Sequence, residues 1–255
     1  MSLFSSVLDM DMNVNVLLPE NRKGSRDRPE PDRKYPVLYC LHGHGDDHTA
    51  WIRKSNIETA VRDYQVIAVM PAMHRSFYSD VQYGMKYYTW LTEELPVKIT
   101  NFFPADTRPE NTYLIGNSMG GFGALKLFLG RPGQYRACAA LSPAIPQDLY
   151  HWNNDFTEMM TRAVGTKEEI AGSVNDLYTL ADRCTCGKDA VLYMTCGSED
   201  FISCEGFRRF DQYLKSSTHD FVYQSEEAAG GHNWEFWNPQ ILKSIALFGF
   251  RRIGE

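Results

Sequence analysis

The amino-acid sequence predicts an α/β protein: a mainly parallel sheet with helices on both faces. Three observations lead there. The chain has 255 residues, 43% of them hydrophobic and 23% charged, which is the composition of a folded globular chain rather than a disordered, collagen-like or coiled-coil one. From Pro36 onward, short runs that are apolar on both faces recur between turn residues: PVLYCLHG, QVIAVMP, TYLIGNS, ACAALSP and AVLYMTCG. Helical stretches separate these runs, and strands buried on both faces with helices between them belong to a covered parallel sheet. At this length the alternation favours one domain, residues 1–255.

Taken in order, residues 5–18 alternate apolar and polar (Val7, Met10, Met12, Val14, Val16, Leu18), the period of a half-solvated strand, and predict an antiparallel edge hairpin. Residues 21–34 (NRKGSRDRPEPDRK) carry six basic residues, three acidic ones and two prolines and read as an exposed connection between strands. Helices are predicted over 51–63, 85–103, 119–130, 203–217 and 238–251, with Pro96 expected to kink or shorten the second. The third opens on Met119-Gly120-Gly121-Phe122-Gly123, small residues that let a helix start press on a sheet. About 45 residues, from Pro143 to Lys188, interrupt the alternation as a polar, helical insertion with Trp152, Phe156, Met159 and Met160 at helix spacing. An insertion at the carboxyl end of a sheet commonly caps a site; the simpler reading is that this stripe packs the insertion onto the body.

Composition narrows the function. Lys plus Arg number 26 against 32 Asp plus Glu, a net charge of −6, so the electrostatic footprint of a nucleic-acid or anionic-membrane binder is missing. No run approaches the roughly 18 apolar residues of a membrane span. The opening MSLFSSVLDMDMN lacks a basic n-region and an apolar h-region, so a cytoplasmic location is expected. Four of the six cysteines, Cys40, Cys138, Cys196 and Cys204, suit buried free thiols. Cys184 and Cys186 are too close for the common zinc turns, and a disulfide across one residue is expected to be strained.

The chemistry rests first on Gly116-Asn117-Ser118-Met119-Gly120, directly after a strand and before a helix. A sharp strand-to-helix turn exposes a serine hydroxyl over the sheet, and glycines two before and two after it leave room for neighbouring backbone. A serine needs a base, which in this arrangement comes late in the chain after an acid. Of seven histidines, His42, His44, His48 and His74 precede Ser118 and His151 lies in the insertion. Between His219 and His232, His232 is preferred: Gly230 and Gly231 permit a tight loop, and Trp234 and Trp237 can wall the imidazole. Asp200, three residues past the AVLYMTCG run, is the candidate acid that holds the imidazole tautomer. Glu199 competes with it; Asp176 and Asp182 belong to the insertion.

An oxyanion hole needs two backbone donors. The N–H of Met119 begins the helix after the serine, and the loop Leu41-His42-Gly43-His44-Gly45-Asp46-Asp47 supplies the second from His44. No third ligand stands beside His42 and His44 to make a metal site, so neither metal nor cofactor is expected. Trp234 and Trp152 are the candidate substrate-contacting side chains.

With these pieces the chain resembles the esterase D-type branch of the α/β-hydrolases, and within it the bacterial tributyrin esterases. The resemblance is carried by LHGHGDDHTAW, VMPAMHRSFYSDVQYG, YYTWLTEELP, LIGNSMGGFGALK, CGSEDF and GGHNWEFWN, which together span most of residues 36–240. S-formylglutathione hydrolases, feruloyl and acetyl-xylan esterases and mycolyl-transferring proteins are similar relatives. The resemblance implies an α/β-hydrolase fold with a small helical cap over about 143–188. It places nucleophile, acid and base on Ser118, Asp200 and His232 and the oxyanion donors on Met119 and His44, and it implies short-acyl esters as substrates. His44 departs from the Met or Leu expected at that position, a mild change because the backbone supplies the donor. The expected activity is a serine carboxylesterase working through an acyl-enzyme. A thioesterase, a feruloyl or acetyl-xylan esterase and an acyltransferase share that chemistry, while a non-catalytic binding module would lack a member of the Ser–His–Asp set. The expected partner is a small acyl ester; capped hydrolases often form homo-oligomers, yet no interface is legible.

Overall fold

The computed structural model describes residues 1–19, 32–81, 84–152 and 154–252. The predicted connection over 21–34 lies almost wholly outside the described residues. Nine strands make one sheet among the described residues. β1 (Ser2–Ser5) and β2 (Met10–Leu17) form the expected antiparallel hairpin, with Ser2 opposite Asn13. β2 then adds antiparallel to β4 (Ile67–Pro71). From β4 inward the spatial order is β4, β3 (Tyr35–Leu41), β6 (Thr112–Asn117), β7 (Ala137–Leu141), β8 (Val191–Gly197) and β9 (Val222–Ala228), all parallel. The two-residue β5 (Ala105–Asp106), which has no sequence signature, pairs with the start of β3.

Alternation along these strands feeds two cores. In β6, Leu114 joins the larger one while Tyr113 and Ile115 join the other, because successive side chains of a strand point to opposite faces. On the smaller side lie α1 (Ala50–Lys54), α2 (Ile57–Val61) and α10 (Trp234–Phe248), through Trp51, Ile57, Trp237 and Ile241. The larger side receives α3 (Tyr87–Thr89), α4 (Leu95–Phe102), α5 (Met119–Gly130), α6 (Asp155–Val164), α7 (Lys167–Ile170), α8 (Leu177–Arg183) and α9 (Cys204–Ser216).

Several boundaries differ from the sequence reading, each for a local reason. The helix predicted over 51–63 is two helices, because the Ser55 hydroxyl donates to the Trp51 carbonyl and the Asn56 N–H donates to Asn238 Oδ1 at 2.9 Å. Pro96 does not end its helix. A π-helical turn over Trp90–Glu94 precedes it and continues into α4, with Pro96 in that helix's first turn, where a missing N–H costs least. α10 begins four residues early because Asn233 caps it, accepting the Phe236 N–H at 3.0 Å; it ends at Gly249, whose φ of +67° is left-handed. The reading of Cys184 and Cys186 as a pair too close in sequence to bridge comfortably is corrected: they form a disulfide, with Cα atoms 5.7 Å apart. α8 ends in an extended Cys184 (φ −69°, ψ 128°), and alternate residues of an extended segment face one side, within bridging range.

The insertion between β7 and β8 is helical, as expected. Asn154 caps α6 by accepting the Thr157 N–H at 3.1 Å, a Thr166–Glu169 capping box starts α7, and Asp176 accepts the Tyr178 and Thr179 N–H groups to start α8. Its stripe behaves in the simpler way: Met160 is buried in the larger core, and Trp152, Phe156 and Met159 pack against it.

One buried cation ties the insertion to the body. Lys126 of α5 is 1% exposed and donates from Nζ to Asn175 Oδ1 (2.7 Å), Ser79 Oγ (2.9 Å) and the Tyr78 carbonyl (3.1 Å), with the Tyr88 ring 4.7 Å from the charge. Burial pushes its pKa down to about 7, against the attraction of Asp80. In the unfolded chain a lysine keeps a value near 10.4, so between these values the unfolded state binds the extra proton and stability rises with pH. Lys126→Met is expected to destabilise the protein by about 1–3 kcal/mol, since three acceptors lose their donor. The deficit should widen from pH 7 toward pH 10 in urea unfolding; a pH-independent deficit contradicts the titration.

Candidate active site

In an open parallel sheet, sites form outside the carboxyl ends of strands where the strand order reverses. Here the chain leaves β3 toward β4 on one side and returns to β6 on the other. The loop after β3 and the turn after β6 therefore meet, and they carry the predicted donor loop and serine.

Ser118 sits between β6 and α5 with φ +55° and ψ −118°, outside the regions comfortable for a side chain. The turn is held from three directions. The Ser118 N–H donates to the Leu141 carbonyl (2.9 Å), and its own carbonyl accepts from Phe122 (3.1 Å) and Ala144 (3.0 Å). The flanking glycines are required by space: a Cβ on Gly116 would lie 2.1 Å from the Gly120 carbonyl oxygen, and one on Gly120 would lie 2.0 Å from that of Leu41. These approaches draw the strand, the helix start and the end of β3 together.

The structure brings the three predicted side chains into one chain of contacts. His232 Nε2 is 2.8 Å from Ser118 Oγ, and His232 Nδ1 is 2.8 Å from Asp200 Oδ2. Ser118 is 8% exposed, the His232 side chain 13% and Asp200 not at all, so the line runs from the surface inward. Burial alone would raise the Asp200 pKa. The His232 imidazole, the Ser203 N–H and the Ser142 hydroxyl overcome that and hold the carboxyl below the usual range. Oδ1 accepts from the N–H groups of Ile202 (3.0 Å) and Ser203 (2.9 Å), leaving Oδ2 for the ring. The competitor Glu199 is exposed; Asp176 caps α8, and Asp182 accepts the Tyr213 hydroxyl proton. His219 stacks on Phe221 with ring centres 4.2 Å apart.

The segments that carry the predicted backbone donors both lie beside Ser118. Met119 is the first residue of α5, where an N–H has no intrahelical acceptor. A Cβ on Gly43 would come within 3.4 Å of Ser118 Cβ and 3.0 Å of Asn117 Nδ2, so the backbone leading to His44 lies against the serine. The loop is pinned by His42. Its Nε2 accepts the Met73 N–H at 2.9 Å, its Nδ1–H donates to the Gly43 carbonyl at 2.8 Å, and its own carbonyl accepts from the Tyr78 hydroxyl at 2.8 Å. Accepting at Nε2 requires a neutral ring, and burial lowers the His42 pKa accordingly. That lone pair is therefore occupied by the backbone. The His44 imidazole stands edge-on to Phe156 at 5.0 Å; burial first, and then Arg75, lower its pKa. Among the described residues no three His, Cys, Asp or Glu side chains gather as a cation-binding group.

The two tryptophans part company. Trp152 packs on Phe156 (6.1 Å) with the larger core, while Trp234 stands edge-on between Trp51 (5.5 Å) and Trp237 (5.2 Å) with the smaller one. It is Trp237 that touches the His232 ring, at 5.0 Å. Ser142, Ser203 and the structural use of His42 have no signal in the sequence, since each acts through a contact far along the chain.

A parallel sheet of this order with helices on both faces, an antiparallel amino-terminal hairpin and a serine on the turn after its central strand is the α/β-hydrolase fold. The chain belongs to an esterase family: residues 5–248 match the model described as "Putative esterase". An acetyl esterase of Caldicellulosiruptor saccharolyticus is 28% identical over 256 residues, covering 96% of this chain and 95% of that protein. A substrate-bound structure of FphF, a fluorophosphonate-binding serine hydrolase of Staphylococcus aureus, superposes with a TM-score of 0.82 at 25% identity, covering 97% of this chain and 96% of that one. The S-formylglutathione hydrolase FrmB of Staphylococcus aureus, at 24% identity and a TM-score of 0.79 over the same shares, has the same fold. The protein is an enzyme of the carboxylic ester hydrolases. Among the described residues no helix is long and apolar enough to cross a membrane.

Proposed function

We propose that the protein hydrolyses short-chain acyl esters through an acyl-enzyme on Ser118. The observation that carries this reading is the unbroken line of 2.8 Å contacts from Ser118 Oγ through His232 to Asp200. With Nδ1 protonated toward the carboxylate, Nε2 presents its lone pair to the hydroxyl and takes its proton as Oγ attacks the ester carbonyl. The N–H groups of Met119 and His44 hold the oxyanion that forms; one such donor typically contributes about 2.7–4 kcal/mol in the transition state. The imidazolium then protonates the leaving alcohol, and a water molecule repeats the sequence to release the acid.

A short acyl group is favoured by the rigid aromatic side chains around the donor loop. The His44 ring abuts Phe156, which abuts Trp152 and Phe77 (5.9 Å), and walls of this kind reject longer chains by sterics. The acetyl esterase relative points the same way. Across p-nitrophenyl esters graded in acyl length, kcat/KM is expected to peak at about two to four carbons and to fall at least tenfold by eight, the effect of roughly 1.4 kcal/mol of lost fit. A feruloyl saccharide or acyl-thioester turned over faster than the acetyl ester overturns the short-ester assignment while leaving the acyl-enzyme intact.

A further inference from the structure

The chain after β4 takes a course that few side chains tolerate, and it ends against the donor loop. Phe77 and Tyr78 are consecutive, fully buried and left-handed, with φ +48° and +51°. Residues other than glycine keep that conformation only where their surroundings over-determine it, and such places cluster at functional sites. Tyr78 is held there by its neighbours. The Ser76 hydroxyl oxygen accepts its N–H at 3.1 Å, and Lys126 Nζ donates to its carbonyl at 3.1 Å. Gly123 of α5 leaves the room that the ring fills, since a Cβ there would lie 2.4 Å from Tyr78 Cγ. These contacts place one hydroxyl, which donates to the His42 carbonyl at 2.8 Å.

The aim of the donor loop follows from the planarity of its peptides. The His42 carbonyl shares a plane with the Gly43 N–H, so the Tyr78 hydroxyl orients that plane. The Gly43 carbonyl shares the next plane with the His44 N–H, which in a trans peptide points the opposite way. That carbonyl accepts the His42 Nδ1–H at 2.8 Å and the Asp46 N–H at 3.2 Å. Because the Met73 N–H occupies Nε2 at 2.9 Å, the neutral His42 ring carries its only proton on Nδ1 and gives it to Gly43. Fixing the carbonyl side of each plane fixes its N–H side. The plane that carries the His44 N–H begins at Gly43, where a Cβ would come within 3.4 Å of Ser118 Cβ.

We propose that His42 and Tyr78 are positioning residues for the ester hydrolysis, holding the Gly43–His44 peptide so that the His44 N–H meets the oxyanion. The proposal rests on the reading of Ser118 as nucleophile and of His44 as an oxyanion donor. Both side chains act through the backbone and neither touches substrate: His42 is 1% exposed and Tyr78 not at all.

Three variants separate aim from stability. Tyr78→Phe keeps the ring against Gly123 and removes the donor to the His42 carbonyl. His42→Asn sets an amide nitrogen where Nδ1 stood, within reach of Gly43, and gives up the acceptor for Met73; His42→Gln does the reverse, with Oε1 in the place of Nε2. With p-nitrophenyl acetate, Tyr78→Phe and His42→Gln are expected to lose about tenfold in kcat with KM unchanged, inside the roughly 10²- to 10³-fold loss that follows removal of a whole oxyanion donor. His42→Asn should stay within about threefold of wild type, because the donor to Gly43 is kept. Melting temperature should fall for both His42 variants, so activity that follows the donor at Nδ1 rather than stability is the signature. A trifluoromethyl ketone adds a second reading: Ser118 Oγ adds to its carbonyl carbon and the oxygen becomes an oxyanion on the same donors, so its Ki should rise by the factor by which kcat/KM falls. Wild-type kcat in Tyr78→Phe and His42→Gln, a loss of kcat with no matching rise in Ki, or His42→Asn as slow as His42→Gln overturns the proposal. Should the His42 variants fail to fold, Tyr78→Phe with the ketone decides it. Retained turnover in Ser118→Ala sinks the reading beneath the proposal, whereas an inactive Ser118→Ala beside unaffected Tyr78→Phe and His42→Gln sinks the positioning role alone.

Discussion

Ser118→Ala is expected to reduce p-nitrophenyl acetate turnover by about 10⁵- to 10⁶-fold, to a residue supplied by binding and by the backbone donors alone. The size follows from the covalent step: without Oγ no acyl-enzyme forms, and the imidazole at 2.8 Å has no hydroxyl to deprotonate. The fold should persist. The turn is held by backbone contacts to Leu141, Phe122 and Ala144 and by the Gly116 and Gly120 approaches, none of which involves the hydroxyl. Alanine also keeps a Cβ at φ +55°, so it neither adds nor relieves backbone strain, whereas Ser118→Gly should be the more stable of the two because glycine adopts that conformation freely. Two measurements check this together. A fluorophosphonate probe should label the wild type and leave Ser118→Ala unlabelled, and urea midpoints should rank glycine above alanine. Turnover retained within tenfold of wild type, or labelling at another residue, moves the nucleophile elsewhere.

The parts of this protein that could be read without coordinates share a property: their signals are local. The turn at Gly116–Gly120 announces itself because close backbone approach forbids side chains at fixed offsets, and the central strands announce themselves because burial on both faces leaves them continuously apolar. The chain order of serine, acid and histidine could be inferred because the sheet delivers the ends of β6 and β8 and the segment after β9 to one edge. What escaped are features decided by distant partners. The break at Ser55 depends on Asn238, the early start of α10 on an asparagine whose capping role competes with its frequent use in turns, and the Cys184–Cys186 bond on the conformation adopted after α8. Among the aromatic residues, helix spacing could not tell that Trp237 meets the imidazole while Trp234 turns toward Trp51. A three-residue offset on a helix keeps two side chains on a similar face, and only packing against α1 separates them. The structural use of His42 was equally hidden, because its lone pair belongs to the Met73 N–H, a contact across 31 residues.

Replacing Asp200 by asparagine isolates the acid from its shape. Asn Oδ1 keeps the N–H bonds from Ile202 and Ser203 now made at 3.0 and 2.9 Å, so the new amide nitrogen must take the place of Oδ2, 2.8 Å from His232 Nδ1. Two N–H donors cannot face each other. The ring answers by accepting at Nδ1 and carrying its proton on Nε2, the tautomer that cannot take the proton of Ser118, and kcat should fall by about 10⁴-fold, the cost of a wrong tautomer in a comparable set. Glu199→Gln is the matched control: the side chain is exposed and activity should stay within twofold, about 0.4 kcal/mol. Stability supplies an independent reading of the same carboxylate. Asp200 titrates below the usual range in the folded protein, so its contribution is present above the unfolded value near 3.9 and is lost as pH falls through the folded one. The wild type should therefore exceed Asp200→Asn in urea stability at pH 7, with the gap closing below about pH 4. A variant that keeps more than a tenth of wild-type kcat, or a stability gap that does not close in acid, is incompatible with a buried carboxylate that orients the imidazole.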